Sequence, residues 1–139
     1  MLHCRKSKKI VFNIDNVKVP YNVHTLKYPE HPQAKTSQYG NGKDYVWTPN
    51  PKGAKPKDVF EIPTLPNSSW EGEKQHPTQK PVELVKKCVL ASSNPEGMII
   101  YPFGGSGTTY AVAEAFNRKW LGSEKNIEYC NTIKKRLII

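Results

Sequence analysis

A glycine-rich turn that follows an apolar run constrains the fold of this 139-residue chain more than any other feature. Residues 97–101 (GMIIY) form a continuous apolar run, and residues 101–109 (YPFGGSGTT) carry the turn. Such a run predicts a strand that is buried on both faces, as in a parallel sheet. A glycine turn after this strand would let a ligand lie against the backbone where the next helix begins.

The sequence on either side of the turn predicts a βαβα unit. Pro81 suits the first turn of a helix, whose apolar face would be Val82, Val85, Cys88 and Val89. The predicted elements are a helix from 81 to about 94, strands over 97–101 and 118–124, and helices over about 108–116 and 126–137. The last helix is amphipathic, with an apolar side and a basic side toward solvent: Ile127, Cys130, Ile133 and Leu137 against Lys134, Lys135 and Arg136.

An acidic residue stands at the predicted end of the second strand. Glu124 lies 20 residues after Gly104, the spacing at which an acid accepts hydrogen bonds from ribose hydroxyls, so we expect an adenosine-containing cofactor. The turn lacks the GxxxxGK of a phosphate-binding loop, and Tyr110 stands where a dinucleotide fingerprint needs its third glycine. Of the adenosine-containing cofactors, S-adenosylmethionine, which has no phosphates, is the one that this turn does not exclude. A lone GxG is, however, equally compatible with a flexible connection that binds no ligand.

Residues 1–75 differ from the rest of the chain in composition and in hydrophobic pattern. They hold most of the 12 prolines, with short β-like runs at 10–14, 17–19, 45–47 and 59–62. Asp15-Asn16 would suit a hairpin turn between the first two runs. We therefore predict two regions, a loop- and β-rich region over 1–75 and a cofactor-binding half over 76–139.

Charge and composition narrow the class of protein. Lysine and arginine number 21 against 12 acidic residues, a net charge of +9, which favours a polyanionic partner such as nucleic acid. No apolar run approaches the roughly 20 residues that span a bilayer, and the first residues lack the apolar region of a signal peptide. We expect a cytoplasmic protein without a membrane partner. The three cysteines are widely spaced and support neither a disulfide framework nor a metal site.

Three motifs in order carry a resemblance to a known family. HPTQKP at 76–81, PFGGSGTT at 102–109 and GSEKNIEY at 122–129 closely resemble site-specific DNA methyltransferases that methylate adenine N6 or cytosine N4. NPKGAKPKDVFEIP at 50–63 also looks like the recognition region that precedes HPTQKP in many of them. The resemblance implies part of a Rossmann-like, S-adenosylmethionine-dependent methyltransferase fold, preceded by an irregular β-rich recognition region, and a place in restriction-modification.

The resemblance also implies a cofactor site. Thr78 and Lys80 would lie against the methionine end of the cofactor, where a helix N-terminus favours a carboxylate, and Glu124 would take the ribose hydroxyls. The turn would be lined by Phe103, Gly105, Ser106, Gly107 and Thr108, and the adenine bordered by Lys125 and Asn126. We interpret His76 as a turn histidine packed by its neighbours, with no catalytic or metal role.

Tyr101 is the first departure from the family pattern. The family has an aspartate before Pro-Phe, which would pair with the ammonium group of the cofactor. Tyrosine removes this attraction and adds a larger ring. The loss of one buried charge-assisted contact costs about 1.5–3 kcal/mol of binding free energy. Tyr101 is therefore expected to weaken S-adenosylmethionine binding.

The second departure is the absence of the family's catalytic tetrapeptide. These enzymes act through an Asp/Asn/Ser-Pro-Pro-aromatic turn, and the sequence contains no Pro-Pro dipeptide, so no catalytic residue is assigned. The chain is expected to be inactive alone. Two hypotheses follow: a methyltransferase fragment or subunit whose catalytic half comes from a second polypeptide, or a non-catalytic DNA-binding remnant of a decayed gene.

Lysines and aromatic residues interleave in the region that resembles the recognition part. The residues alone favour a solvated lysine-rich loop, whereas their position relative to the family motifs favours contact with double-stranded DNA, which is the expected partner. The predicted contact residues are Lys43, Lys52, Lys55 and Lys57, interleaved with Tyr39, Tyr45 and Trp47.

Overall fold

The chain folds into two compact units. The computed structural model describes residues 8, 10–36, 42–57, 59–63, 68–69, 72–73 and 76–137. Residues 17–57 form the smaller unit, and residues 1–16 with 58–139 form the larger unit. The division of the chain at residue 75 stays a prediction.

The smaller unit is built on a short helix and a two-stranded ladder. Helix α1 (Val23–Lys27) begins after Asn22, whose side chain accepts a hydrogen bond from the Thr25 amide at 2.8 Å. Strands β1 (His31–Gln33) and β2 (Tyr45–Trp47) pair antiparallel. Val19 and Ala54 form a separate antiparallel bridge, with backbone hydrogen bonds of 3.0 and 2.8 Å. The sequence predicted β2 but neither α1 nor β1.

The first residues of the larger unit do not form the predicted strands. Residues 14–17 are a 3-10 helix, residues 10–12 and 59–62 contain no strand, and Val19 forms only the single bridge, so the predicted hairpin is wrong. The backbone of Asn13 instead donates to the carbonyl of Ala91 at 2.8 Å. Its side chain donates to the carbonyl of Ser93 at 2.9 Å. Asn13 therefore donates to carbonyl groups at the C-terminal end of a helix, which have no partner within the helix, and does not pair with a neighbouring strand.

Residues 82–137 have the predicted order of helices and strands. After the short antiparallel pair β3 (Ser68–Ser69) and β4 (Gly72–Glu73), the elements are α2 (Val82–Ser92), β5 (Met98–Tyr101), α3 (Thr108–Ala115), β6 (Lys119–Gly122) and α4 (Ile127–Leu137). Strands β5 and β6 pair in parallel, with Met98 opposite Lys119 and Tyr101 opposite Gly122. Helix α3 packs against β6 and against both flanking helices. The predicted α/β unit is confirmed.

One face of the parallel pair is uncovered, so the predicted burial on both faces is wrong. Met98 is 56% exposed and Ile100 68%, and Leu121, the partner of Ile100 in the ladder, is 60% exposed. These three side chains share one face because residues two apart in a strand point the same way. The helices bury only the opposite face, which carries Ile99 and Trp120.

Tyr110 on α3 fills the space beneath the ends of both strands. It is 2% exposed, its ring stacks on that of Trp120 at 4.4 Å, and its hydroxyl donates to the Tyr101 carbonyl at 2.7 Å. A Cβ at Gly122 would lie 2.0 Å from this hydroxyl, and a Cβ at Gly104 would lie 3.1 Å from it. The two glycines therefore leave the room that the phenol ring occupies.

Arg118 joins the ends of α2 and α3. Its side chain is buried and donates to the Ser93 carbonyl at 2.8 Å and to the Ser93 hydroxyl at 3.1 Å. It also donates to the carbonyl of Phe116. A buried guanidinium needs such acceptors, and here they hold the turn that leads into β6.

Helix α4 departs from its predicted faces at two positions. Ile133 is buried as expected, but Ile127 is 69% exposed at the first turn. Arg136, predicted to face solvent, donates to the Ser106 carbonyl at 3.3 Å. The helix therefore packs on the glycine turn through its later turns. Among the described residues, no helix is long and apolar enough to cross a membrane.

We predict that the packing of Tyr110 dominates the stability of the larger unit. Tyr110→Phe should lower the free energy of unfolding by about 0.5–1.5 kcal/mol because one hydrogen bond is lost. Gly122→Ala should lower it by about 1–3 kcal/mol or more because the new methyl group overlaps the buried phenol. Urea unfolding measures both. Leu121→Ala, at an exposed neighbour, is the control, and a loss there as large as at Gly122 would contradict the prediction.

Candidate functional site

The turns that follow β5 and β6 are fastened to each other. The Gly104 amide donates to the Ser123 carbonyl at 2.8 Å, and the Ser123 hydroxyl donates to the Pro102 carbonyl at 2.7 Å. Both turns therefore lie at the carboxyl ends of adjacent parallel strands. In open α/β sheets, ligands bind at this edge.

Two glycines of the turn have left-handed backbone conformations. Gly105 has φ +55° and Gly107 has φ +75°, a region that side chains rarely adopt. Gly107 is also the residue before the first turn of α3, and a Cβ there would come within 3.1 Å of the Ile133 side chain. Glycine at 107 thus allows α4 to pack closely beneath the turn.

The Glu124 carboxylate holds the turn from the other side. One oxygen accepts from the Gly105 amide at 2.7 Å, and the other accepts from the Asn126 amide at 2.9 Å. The hydrogen bonds from Asn126 and Gly105 lower the pKa of Glu124 below its usual 4.5. The carboxylate is therefore ionised at neutral pH, and each oxygen retains a further lone pair for a ligand hydroxyl.

A histidine turn forms the wall opposite Glu124. The Thr78 amide donates to His76 Nδ1 at 3.2 Å, and the His76 ring lies 4.4 Å from the ring of Tyr129. The Lys80 ammonium donates to the Thr78 carbonyl at 3.3 Å. His76 is thus packed by its neighbours, as interpreted from the sequence. Its ring also faces Gly105, because a Cβ at that glycine would lie 3.6 Å from the imidazole.

These elements enclose one cavity. Its lining comprises His76, Thr78, Gln79, Lys80, Tyr101, Phe103, Gly104, Gly105, Ser106, Thr108, Thr109 and Glu124. Eight of the eleven residues that the sequence associated with the cofactor lie in this lining. The other three do not: Gly107 is buried against Ile133, and Lys125 and Asn126 are exposed beyond β6. That any of these residues contacts a cofactor stays a prediction.

Four lining residues were not among the predicted contacts. Gln79 and His76 stand in the same HPTQKP stretch as Thr78 and Lys80, so the motif itself was the available signal. Gly104 and Thr109 flank the predicted turn residues in the same way. Reading each motif as a continuous surface would have included all four.

The cavity is nearly neutral and carries one charge of each sign. Lys80 is the cation of the lining and Glu124 is its anion, while Tyr101 places an uncharged phenol between the strand end and the turn. The Lys80 ammonium is complementary to a carboxylate, and the Glu124 carboxylate is complementary to hydroxyl donors. Among the described residues, no second carboxylate lies in the lining to pair with a ligand ammonium group.

The lysines assigned to DNA all lie in the smaller unit. Lys43, Lys52, Lys55 and Lys57 are exposed, and Lys55 lines a groove together with Tyr45 and Trp47. Tyr39, which the sequence grouped with them, lies outside the described residues. The structure thus brings one of the four lysines together with the aromatic side chains.

A family model and several relatives match the chain. The family model described as DNA methylase, covering the N6 and N4 type, matches residues 1–135. The type II methyltransferase M1.MboII of Moraxella bovis is 35% identical over 94% of this chain and 50% of its own length. The DNA adenine methyltransferase YhdJ of Escherichia coli is 46% identical over 59% of this chain and 28% of its own length.

A solved structure is also similar. The cytosine-N4-specific PvuII DNA methyltransferase has a TM-score of 0.53 and 27% identity over 61% of this chain and 33% of its own. The chain spans about half or less of the length of the curated relatives it matches.

We predict that ionised Glu124 stabilises the glycine turn in a pH-dependent way. Because folding lowers its pKa, the contribution is complete above the unfolded-state value of 4.5 and is lost as pH falls through the lower folded-state value. The difference in unfolding free energy between the wild type and Glu124→Gln should therefore be full near neutral pH and should shrink in acid. Denaturant unfolding across pH measures it, with Glu128→Gln as the control for charge loss. A difference that is constant with pH would contradict the prediction.

Proposed function

The chain belongs to the DNA methylase family of the N6 and N4 type, and from this membership we propose that it is the cofactor-binding and DNA-recognition part of such an enzyme. S-adenosylmethionine binds in the cavity at the ends of β5 and β6. DNA binds to the smaller unit, and a second polypeptide supplies the catalytic Pro-Pro-aromatic turn. The target is an exocyclic amine, adenine N6 or cytosine N4.

The cavity carries this proposal. Glu124 lies at the end of β6, where backbone amides engage both of its oxygens and leave lone pairs that can accept from ligand hydroxyls. Thr78 and Lys80 precede the N-terminus of α2, where a methionine carboxylate is favoured by the lysine and by the helix dipole. A ligand that carries ribose at one end and a carboxylate at the other fits this arrangement.

The uncovered sheet face supports the second polypeptide. Parallel sheets normally have both faces covered, but Met98, Ile100 and Leu121 leave an apolar face exposed on this one. A polypeptide that brings the catalytic turn together with further strands and helices would bury these side chains. The same association would place the catalytic turn beside the carboxyl ends of β5 and β6.

Tyr101 favours the alternative function, a non-catalytic DNA-binding remnant. It lines the cavity, is 37% exposed, and offers no charge to a ligand ammonium group. A chain that has lost cofactor binding would retain only DNA binding. Two measurements distinguish the two functions: cofactor binding with and without Tyr101→Asp, and methyl transfer with and without the second polypeptide.

We expect the wild type to bind S-adenosylmethionine weakly. Tyr101→Asp should tighten binding about ten-fold or more because it restores a charge-assisted contact of about 1.5–3 kcal/mol. Titration calorimetry measures both. Tyr101→Asn is the matched control, since it removes the ring without adding charge. Adding Glu124→Gln to Tyr101→Asp should weaken binding again. Tight binding by the wild type that is insensitive to Glu124→Gln would show that the site is misassigned.

We expect methyl transfer only from a complex. The isolated chain lacks the turn that holds the target amine in line with the sulfonium, so it should transfer no labelled methyl group to DNA. A separately expressed polypeptide that carries the Pro-Pro-aromatic motif should restore transfer in the mixture, more strongly with Tyr101→Asp. A complex that forms but stays inactive with Tyr101→Asp would favour the remnant. Transfer by the chain alone would refute the assignment of the missing turn.

A further inference from the structure

The smaller unit contains a groove that is separate from the cofactor cavity. Its volume is about 760 Å³, within the usual range of small-molecule sites. Its lining comprises Lys18, Tyr21, Thr25, His31, Gln33, Tyr45, Trp47, Thr48, Asn50, Gly53, Ala54 and Lys55. None of the described residues in this lining is acidic.

The floor of the groove is one face of the β1–β2 ladder. His31 pairs with Trp47 and Gln33 pairs with Tyr45, so these four side chains point to the same face. The rings of His31 and Trp47 are 5.6 Å apart, and Tyr21 meets Trp47 edge-on at 6.1 Å. Tyr45 remains 36% exposed. The floor therefore offers flat aromatic surfaces on which a base can stack.

The rim of the groove is basic. Lys18 precedes Val19 and Lys55 follows Ala54, the two residues of the antiparallel bridge, and both lysines line the groove. Lysine ammonium groups on the rim of a groove suit the phosphates of a nucleic acid. The smaller unit as a whole has seven lysines and two acidic residues, a surplus of five positive charges in residues 17–57.

Aromatic surfaces beside paired cations match the chemistry of a nucleotide. Bases of single-stranded nucleic acid stack on aromatic side chains, while lysines hold the phosphates. We propose that this groove binds an unstacked nucleotide of a DNA strand, with its base on Tyr45 and Trp47 and its phosphate at Lys18 and Lys55. This inference rests on the DNA binding proposed for the smaller unit, and it adds a base-binding site to the phosphate contacts of the exposed lysines.

The test is binding of a fluorescein-labelled deoxythymidine oligonucleotide of about ten nucleotides. Trp47→Leu should weaken binding about ten-fold or more through lost stacking, and Trp47→Phe should retain most of it. Lys18→Ala should reduce the dependence of log affinity on log salt by about 0.7. Lys27→Ala and Lys35→Ala, in the same unit but outside the groove lining, are the controls.

Duplex DNA of matched length separates this inference from the proposed function. Replacing Lys43, Lys52 and Lys57 by alanine should weaken duplex binding, whereas Trp47→Leu should affect the single strand more than the duplex. If Trp47→Leu and Lys18→Ala both bind the oligonucleotide like the wild type, the groove inference is overturned while duplex binding stands. If the wild type binds neither DNA, the proposed recognition role fails as well. If Trp47→Leu does not fold, Tyr45→Leu and Lys18→Ala decide.

Discussion

The buried phenol of Tyr110 sets the geometry on which the cavity depends. Its ring occupies the space left by Gly104 and Gly122, and its hydroxyl holds the carbonyl of Tyr101, so one side chain fixes the ends of both parallel strands. Because Tyr110 holds residue 101 by its backbone carbonyl, the side chain at 101 can change without loosening the strand. The tyrosine at 101 thus alters what the cavity offers to a ligand, while the frame of the cavity is maintained by other groups.

Glu124 combines two roles that can be confused in a mutant. It accepts hydrogen bonds from the backbone of the glycine turn and from the backbone of its own turn after β6, and it is the acid proposed to bind ribose. Removing the side chain would therefore relax the glycine turn as well as remove a ligand contact. Glutamine keeps one oxygen acceptor and the length of the side chain, so its effect is closer to that of the charge alone. The pH dependence reports on the structural role, and ligand titration reports on both.

Local signals explain which parts of the fold could be predicted. Pro81, the glycine turn and the apolar spacing of 81–137 specified α2 to α4 and the two parallel strands, because each signal acts within a few residues. The strand predicted at 10–14 was wrong because the backbone of Asn13 in this run pairs with Ala91, which lies far along the chain. The predicted burial of 97–101 on both faces was wrong because such burial depends on what covers the second face of the sheet. The motifs predicted most of the cavity lining, but the approach of His76 to Gly105 is a tertiary contact that local sequence does not show.

The two surfaces that the chain leaves exposed differ in chemistry, and this difference bears on the choice between subunit and remnant. The parallel sheet exposes an apolar face at Met98, Ile100 and Leu121, which water disfavours and a protein partner would cover. The smaller unit exposes lysines and aromatic rings, which suit a polyanion with bases. A remnant that only binds DNA would use the second surface and leave the first in water. A subunit would use both, because the polypeptide proposed to cover the sheet is also the one proposed to complete the catalytic site.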